Sequence, residues 1–444
     1  MKRICCLLSF VCLAAGLASA TPSVVPGSVT VSQDADTHAL AVRYALADGP
    51  AIVTFELKKG GETIDAGRFL RVTGDVNKLV SGDAEHGFVV EAADDLGALT
   101  VTAEVSAWDV SDPPDYMVAD LMVPNTVNYY ASSNAIPGGL FGNDANFETR
   151  MVFKRVFARG QTFTMGSPTT ESGRGSNDRE AQHQVTLTKD FYLGVFEVTQ
   201  AQFLFLKGGV AAIGTGRAAK DTPFYFYNEA LWAHRPADNV SYNEIRHSAT
   251  KAGNDAARYP NGPGEGSWLK AMRDRTGLAV DLPGEAQWEY ACKAGTGDKC
   301  WNNGKSFSAS IWNASICNGR VQQTGGGKKD STSQGDAYTN GTAVVGSYEP
   351  SLWGFYDMHG NVAEFCVDWY AADITGIGDD SINADGAKLK DGTTDGTYRI
   401  ARGGHWWQNI TEARTAARSV MAAESGVDAG QGFRVMAPIP NPAE

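Results

Sequence analysis

The hexapeptide Ser111–Tyr116, SDPPDY, cuts the chain into two regions that cannot belong to one sheet. Its adjacent prolines supply no ladder N–H, so a central strand cannot run through them. The hydrophobic pattern changes across this point. Before it, from about Val24 to Trp108, apolar and polar positions alternate: Leu40, Val42, Tyr44 and Leu46; Val53, Phe55 and Leu57; Leu99, Val101, Ala103 and Val105. A period of two marks strands with one buried face. Several such runs, separated by Gly, Asp and Asn turns, predict a small antiparallel β-sandwich of immunoglobulin or fibronectin type over residues 21–112. No catalytic set stands out in it.

Residues 113–150 are rich in Asn, Gly and Ser and read as a linker or edge element. From Met151 the chain becomes rich in Gly and Trp, with short helical patches. In EAQWEYACKAG, Ala286, Trp288, Glu289 and Cys292 can share one helical face. Turn signals are dense elsewhere, so long regular elements are not expected. The expectation is a loop-rich α+β domain over 151–438 with a short tail, 439–444.

Residues 1–20, MKRICCLLSFVCLAAGLASA, carry two basic residues, an apolar run and a terminal Ala-Ser-Ala. That is the layout of a cleaved export signal, and its apolar run is shorter than the roughly 20 residues of a membrane span. An exported protein, secreted, periplasmic or at the cell surface, is expected, with no membrane span. The net charge of −13 argues against nucleic acid as a partner. Beyond the first 20 residues the cysteines are Cys292, Cys300, Cys317 and Cys366. Their spacings make no CxxC metal pair, and their pairing is left open.

The sequence holds no HExxH, no GxSxG elbow and no GxxxxGK[ST] phosphate loop. Six other stretches follow one another: GQTFTMGS from Gly160, HQVTLTKDFYLGVFEVTQAQF from His183, DLPGEAQWEYACKAGT from Asp281, WGFYDMHGNVAEFCVDWY from Trp353, RIARGGHWW from Arg399, and GFRVM from Gly432. In this order they resemble the formylglycine-generating enzyme, or sulfatase-modifying factor, family over about two-thirds of the chain. The resemblance implies a C-type-lectin-like α+β fold, poor in regular structure and stabilised by calcium. It also implies an oxidase that converts a sulfatase cysteine to formylglycine with copper and oxygen.

The family's copper is held by two cysteines shortly after the glycine pair of the fifth motif, where soft thiolates select Cu(I). Here Gly403 and Gly404 are followed by HWWQNITEARTAARS, and no cysteine occurs after Cys366. Gln408 lies near the first cysteine's place, His405 replaces a serine, and Ala363 stands where the family has a tryptophan in its cleft. Copper is therefore not expected. The favoured reading is a non-catalytic binding or surface protein on the family scaffold. The alternative is a formylglycine-generating oxidase with an atypical site.

For calcium, the resemblance places ligands at Asp357, the carbonyls of Gly360 and Val362, and Glu364, all hard oxygen donors. A further site would use Asn318, Asp336 and the carbonyl of Tyr338. His405 is the one candidate for residual chemistry, because imidazole titrates near neutral pH. With Trp406, Trp407, Gln408 and Arg414 it would line a ligand cleft for a protein, peptide or carbohydrate. Arg414, Arg418 and Arg434 also read as internal salt bridges or backbone clamps, and His183 and His359 as structural.

Overall fold

The computed structural model describes residues 21–97, 100–174, 178–208, 224, 231–247, 261–297, 342–371, 373–374, 398–406, 408, 410–422 and 430–439. The alternating runs before Ser111 form two antiparallel sheets. One orders Ser23–Val24, Leu40–Ala47, Glu85–Ala92 and Phe69–Gly74, with Thr30–Gln33 also paired to Leu40–Ala47. The other has Ala51–Lys59 at its centre, paired with Glu62–Thr63, Lys78–Val80 and Val101–Trp108. Leu40, Val42, Tyr44 and Leu46 of the first meet Val53, Phe55 and Leu57 of the second in one buried cluster. These alternate residues point to the shared face between the two sheets, as a period of two requires.

Part of the segment read as a linker or edge element is built into a sheet, with Thr126–Tyr130 as its edge strand. Tyr116–Asp120 pairs with Thr126–Tyr130 on one side and Arg150–Val156 on the other. Phe191–Gly194 and Met436–Pro438 complete the five strands. Tyr116, Met117, Val118 and Ala119 are all buried. A strand covered on both faces shows no alternation, so periodicity does not reveal it.

A second sheet orders Arg418–Ala422, Tyr398–Arg402, Ala363–Trp369 and Gln431–Gly432, the last parallel to its neighbour. Gln161–Met165 and His183–Leu187 make a separate hairpin. The helices are short. Trp268–Thr276 begins at Ser267, whose hydroxyl accepts from the Lys270 N–H at 3.3 Å, and ends at left-handed Gly277. Glu285–Lys293 is the helix expected from EAQWEYACKAG, with Ala286, Trp288, Glu289 and Cys292 all buried. Sheets with few helices make the domain α+β and loop-rich.

With so little regular structure, many carbonyls need other donors, and buried guanidinium groups supply them. Arg402, fully buried, donates to the carbonyls of Ala416, Ala417 and Thr415 at 3.1, 2.8 and 3.1 Å, and pairs with Glu289. Arg399 reaches the Val367 carbonyl at 2.8 Å and lies over the Trp369 ring, 3.4 Å from its centroid.

Candidate binding and metal site

Arg402, Gly403 and Arg418 meet the Glu285–Lys293 helix at Glu289, Trp288 and Glu285, and Arg402 pairs across the ladder with Glu364 of the Ala363–Trp369 strand. Gly403 has φ +87° and a Cβ there would meet Met358 O and the Trp288 ring at 3.2 Å, so only glycine fits without displacement. Its carbonyl accepts from Gly360 N–H at 2.7 Å, and Trp406 N–H donates to Asn361 O at 3.0 Å. These bonds tie the fifth motif to the fourth.

Of the residues expected to line a cleft, His405, Trp406 and Arg414 lie inside the protein and Gln408 is partly buried. His405 is 4 % exposed and Trp406 9 %. A Cβ on Gly430 would stand 2.1 Å from His405 Nδ1, so the imidazole is covered by that glycine's backbone. Gln408 closes a local turn: its Oε1 accepts from His405 N–H at 3.2 Å, and its own N–H donates to His405 O at 2.9 Å. Arg414 is buried and held by Glu180 at 2.8 and 2.9 Å and Glu171 at 2.5 Å. His405, Trp406 and Arg414 are thus buried side chains rather than solvent-facing ones. Trp407 lies outside the described residues.

The internal reading of the arginines is what the contacts show. Arg418 grips Glu285 at 2.5 and 2.9 Å and the Ala371 carbonyl at 2.7 Å. Arg434 takes both Glu364 oxygens and the carbonyls of Gly194, Val195 and Tyr356. His359 is buried with Nδ1 2.7 Å from Ala413 O; burial pushes its pKa down to about 4. His183 Nδ1 lies 3.0 Å from the Ala181 carbonyl.

A group of buried carboxylates surrounds the DMHGNVAEF motif. Asp357 is 3 % exposed, in the left-handed region at φ +56°. Its Oδ2 accepts from Gly346 N–H at 2.5 Å, while its Oδ1 has no hydrogen-bond partner among the described residues. Glu364, 1 % exposed, accepts from Arg434 and, at 2.7 Å, from Trp288 Nε1–H. Glu197, also 1 % exposed, accepts from Asn361 Nδ2 at 2.6 Å and Val362 N–H at 3.1 Å. Burial, and then the charges of Asp357 and Glu364, push Glu197 far above the usual carboxylate range. Burial likewise takes Asp357 up to about 7, against the Gly346 hydrogen bond.

Three buried carboxylates thus share one guanidinium, Arg434, leaving a place that favours a proton or a cation. The donors are hard oxygens, and Asp357 Oδ1 is unused, which fits calcium. Glu364 departs from a dedicated ligand because Arg434 occupies both its oxygens, although each oxygen keeps further lone-pair capacity. Among the described residues no three His, Cys, Asp or Glu side chains converge as a metal cluster. The expected set has only two side-chain donors and relies on carbonyls for the rest. Glu197 was missed from sequence; it sits in the quoted FEVTQ run, but nothing local shows that Val198 and its neighbours bring it beneath Asn361. Asn318, Asp336 and Tyr338 lie outside the described residues, as do Cys300 and Cys317.

Cys292 and Cys366 are free and fully buried. Burial pushes the Cys292 thiol up to about 12 and raises Cys366 well above its usual value. A raised thiol is a poor source of the thiolate that holds Cu(I).

Residues 136–439 match the sulfatase-modifying factor enzyme 1-like domain. The chain belongs to this family. Among relatives of the sulfatase-modifying factor chain are a serine/threonine-protein kinase pkn1 of Chlamydia pneumoniae and the formylglycine-generating enzyme of Mus musculus. The first is 27 % identical over 269 residues, 60 % of this chain and 35 % of the relative. The second is 25 % identical over 304 residues, 62 % of this chain and 72 % of the relative. The chain spans about a third of the length of the first curated relatives it matches. The solved structure of PvdO from Pseudomonas aeruginosa aligns with a TM-score of 0.45 at 23 % identity, covering 65 % of this chain and 94 % of that one. The family match begins at 136, inside the segment read from sequence as a linker or edge element, and the strands Tyr116–Asp120 and Thr126–Tyr130 before it join the same sheet. No helix among the described residues is long and apolar enough to cross a membrane.

Proposed function

We propose that this sulfatase-modifying factor chain is an exported, non-catalytic binding protein that uses the family scaffold for recognition of a protein, peptide or carbohydrate. One observation carries the reading: no cysteine follows Cys366, so the positions after Gly403 and Gly404 offer no thiolate pair for copper. The buried, high-pKa thiols of Cys292 and Cys366 support it, as neither is suited to take over. Calcium is proposed as a structural ion at Asp357, the Gly360 and Val362 carbonyls, and Glu364, supported by the unpartnered Asp357 Oδ1 and the excess of buried carboxylate.

The deciding assay incubates the purified protein with copper, a thiol reductant, oxygen and a peptide bearing the sulfatase cysteine motif. The expected result is an unchanged peptide mass. Conversion of that cysteine to the aldehyde overturns the proposal in favour of an oxidase with an atypical site. For calcium, adding the ion to chelator-treated protein is expected to raise Tm, and Asp357→Ala is expected to shrink that increment. Because the increment is measured against each variant's own metal-free baseline, loss of packing in the variant does not mimic the effect. An increment unchanged by Asp357→Ala would place the ion elsewhere.

A further inference from the structure

Where the β-sandwich meets the family domain there is a cleft of about 400 Å³, a volume within the range of small-ligand sites. Phe69, Arg71 and Asn77 line it from the sandwich, and Asn128, Tyr130 and Arg150 from the five-stranded sheet. Asn77 is fixed by its backbone across this junction. It adopts φ +57°, donates to Val53 O at 2.6 Å, and accepts from Tyr129 N–H at 2.8 Å.

The side chains facing this space are unusually short of partners. Asn77 is 6 % exposed and Tyr130 8 %, yet neither the carboxamide nor the phenol bonds to any described residue. Their polar atoms stay accessible from the cleft, open to bond to whatever occupies it. The Asn128 carboxamide and the Arg71 guanidinium likewise have no partner among the described residues. Arg150 has one carboxylate neighbour, Asp120 at 3.6 Å. In a chain of net charge −13, no Asp or Glu among the described residues lines the cleft.

We propose that this junction cleft binds an acidic sugar. Two carboxamides and a phenol both donate and accept, as sugar hydroxyls do. Arg71, seconded by Arg150, offers the fork that a carboxylate takes, and the Phe69 ring offers an apolar patch beside them. The site is separate from the copper-site frame of the family, so its failure would leave the non-catalytic reading intact, which the peptide-oxidation assay judges alone.

The test is calorimetric titration of the full chain with glucuronate and galacturonate, beside glucose and galactose. At least one hexuronate is expected to bind more tightly than its neutral parent. Arg71→Ala, at an exposed position, is expected to weaken it by about tenfold, the loss typical of a charge-assisted hydrogen bond. Tyr130→Phe keeps the ring and the fold while removing the hydroxyl, and should weaken both acidic and neutral sugars. Absence of hexuronate binding, equal binding of the neutral parents, or affinities untouched by both substitutions would each overturn the proposal and leave a water-filled junction.

Discussion

A Cβ on residue 430 would fall 2.1 Å from His405 Nδ1 and 2.2 Å from Cγ, contacts no real side chain tolerates. His405 stands out in the sequence because it replaces a serine beside the family's glycine pair. What that view cannot supply is Gly430, twenty-five positions on, whose missing side chain gives the imidazole its place. Gly430→Ala is therefore expected to destabilise by about 1–3 kcal/mol, the usual cost of overpacking. His405→Ala opens a space for the new methyl, so the double variant should recover much of the loss. Denaturant melts of the four proteins in the cycle read this coupling; strictly additive losses would show that the ring and the glycine do not constrain one another. Arg414 shows the converse. Its buried pairing with Glu171 and Glu180 was one of two readings open from sequence, and only contact with residues more than two hundred positions away decides between them.

Between elements, ion pairs join what hydrogen-bonded ladders do not. The helix Glu285–Lys293 meets the Arg418–Ala422 strand through Arg418 and Glu285, both buried, and Arg402 lies 3.5 Å from the same carboxylate. Burial alone would raise the Glu285 pKa; Arg418, with Arg402 behind it, reverses this and holds it below its ordinary 4.5. A depressed carboxylate contributes stability above its unfolded pKa and loses it as pH falls through the folded value. The stability of the wild type is thus expected to decline below about pH 4.5, while Glu285→Gln lacks this part of the decline and is weaker by roughly 3 kcal/mol at neutral pH. Urea midpoints from pH 3 to 7 check both; parallel pH curves for the two proteins would show that the pair carries no linkage. The helix itself was legible because its apolar spacing is local. Its electrostatic anchoring was not, since Glu285 reads as an ordinary first-turn acid.

At the scale of the whole molecule, legibility followed the reach of each interaction. The sandwich could be read from alternation, and the family domain from six ordered motifs. The join between them could not, because Tyr116–Asp120 is buried on both faces and SDPPDY reads as a break. In the structure Ile52 leaves the row of its own strand: it is 2 % exposed and packs in the family domain's core with Met117, Tyr129 and Tyr192 rather than with Val53 and Phe55. Trp108, its partner across the Ala51–Lys59 and Val101–Trp108 ladder, packs against the same core. The Asn77–Tyr129 hydrogen bond adds a backbone tie. Side chains alternate along a strand, so the face of Ile52 opposite the sandwich core is what the second domain covers. Ile52→Ala removes apolar contact from that shared surface and is expected to cost about 2–5 kcal/mol, as large-to-small core substitutions do. Its signature is the coupling: the transition followed by tryptophan fluorescence, dominated by the family domain's residues, should shift to lower denaturant although the altered residue lies in the sandwich. A fluorescence midpoint unmoved by Ile52→Ala would mean that the two units fold independently and that the junction contributes no stability to the domain it covers.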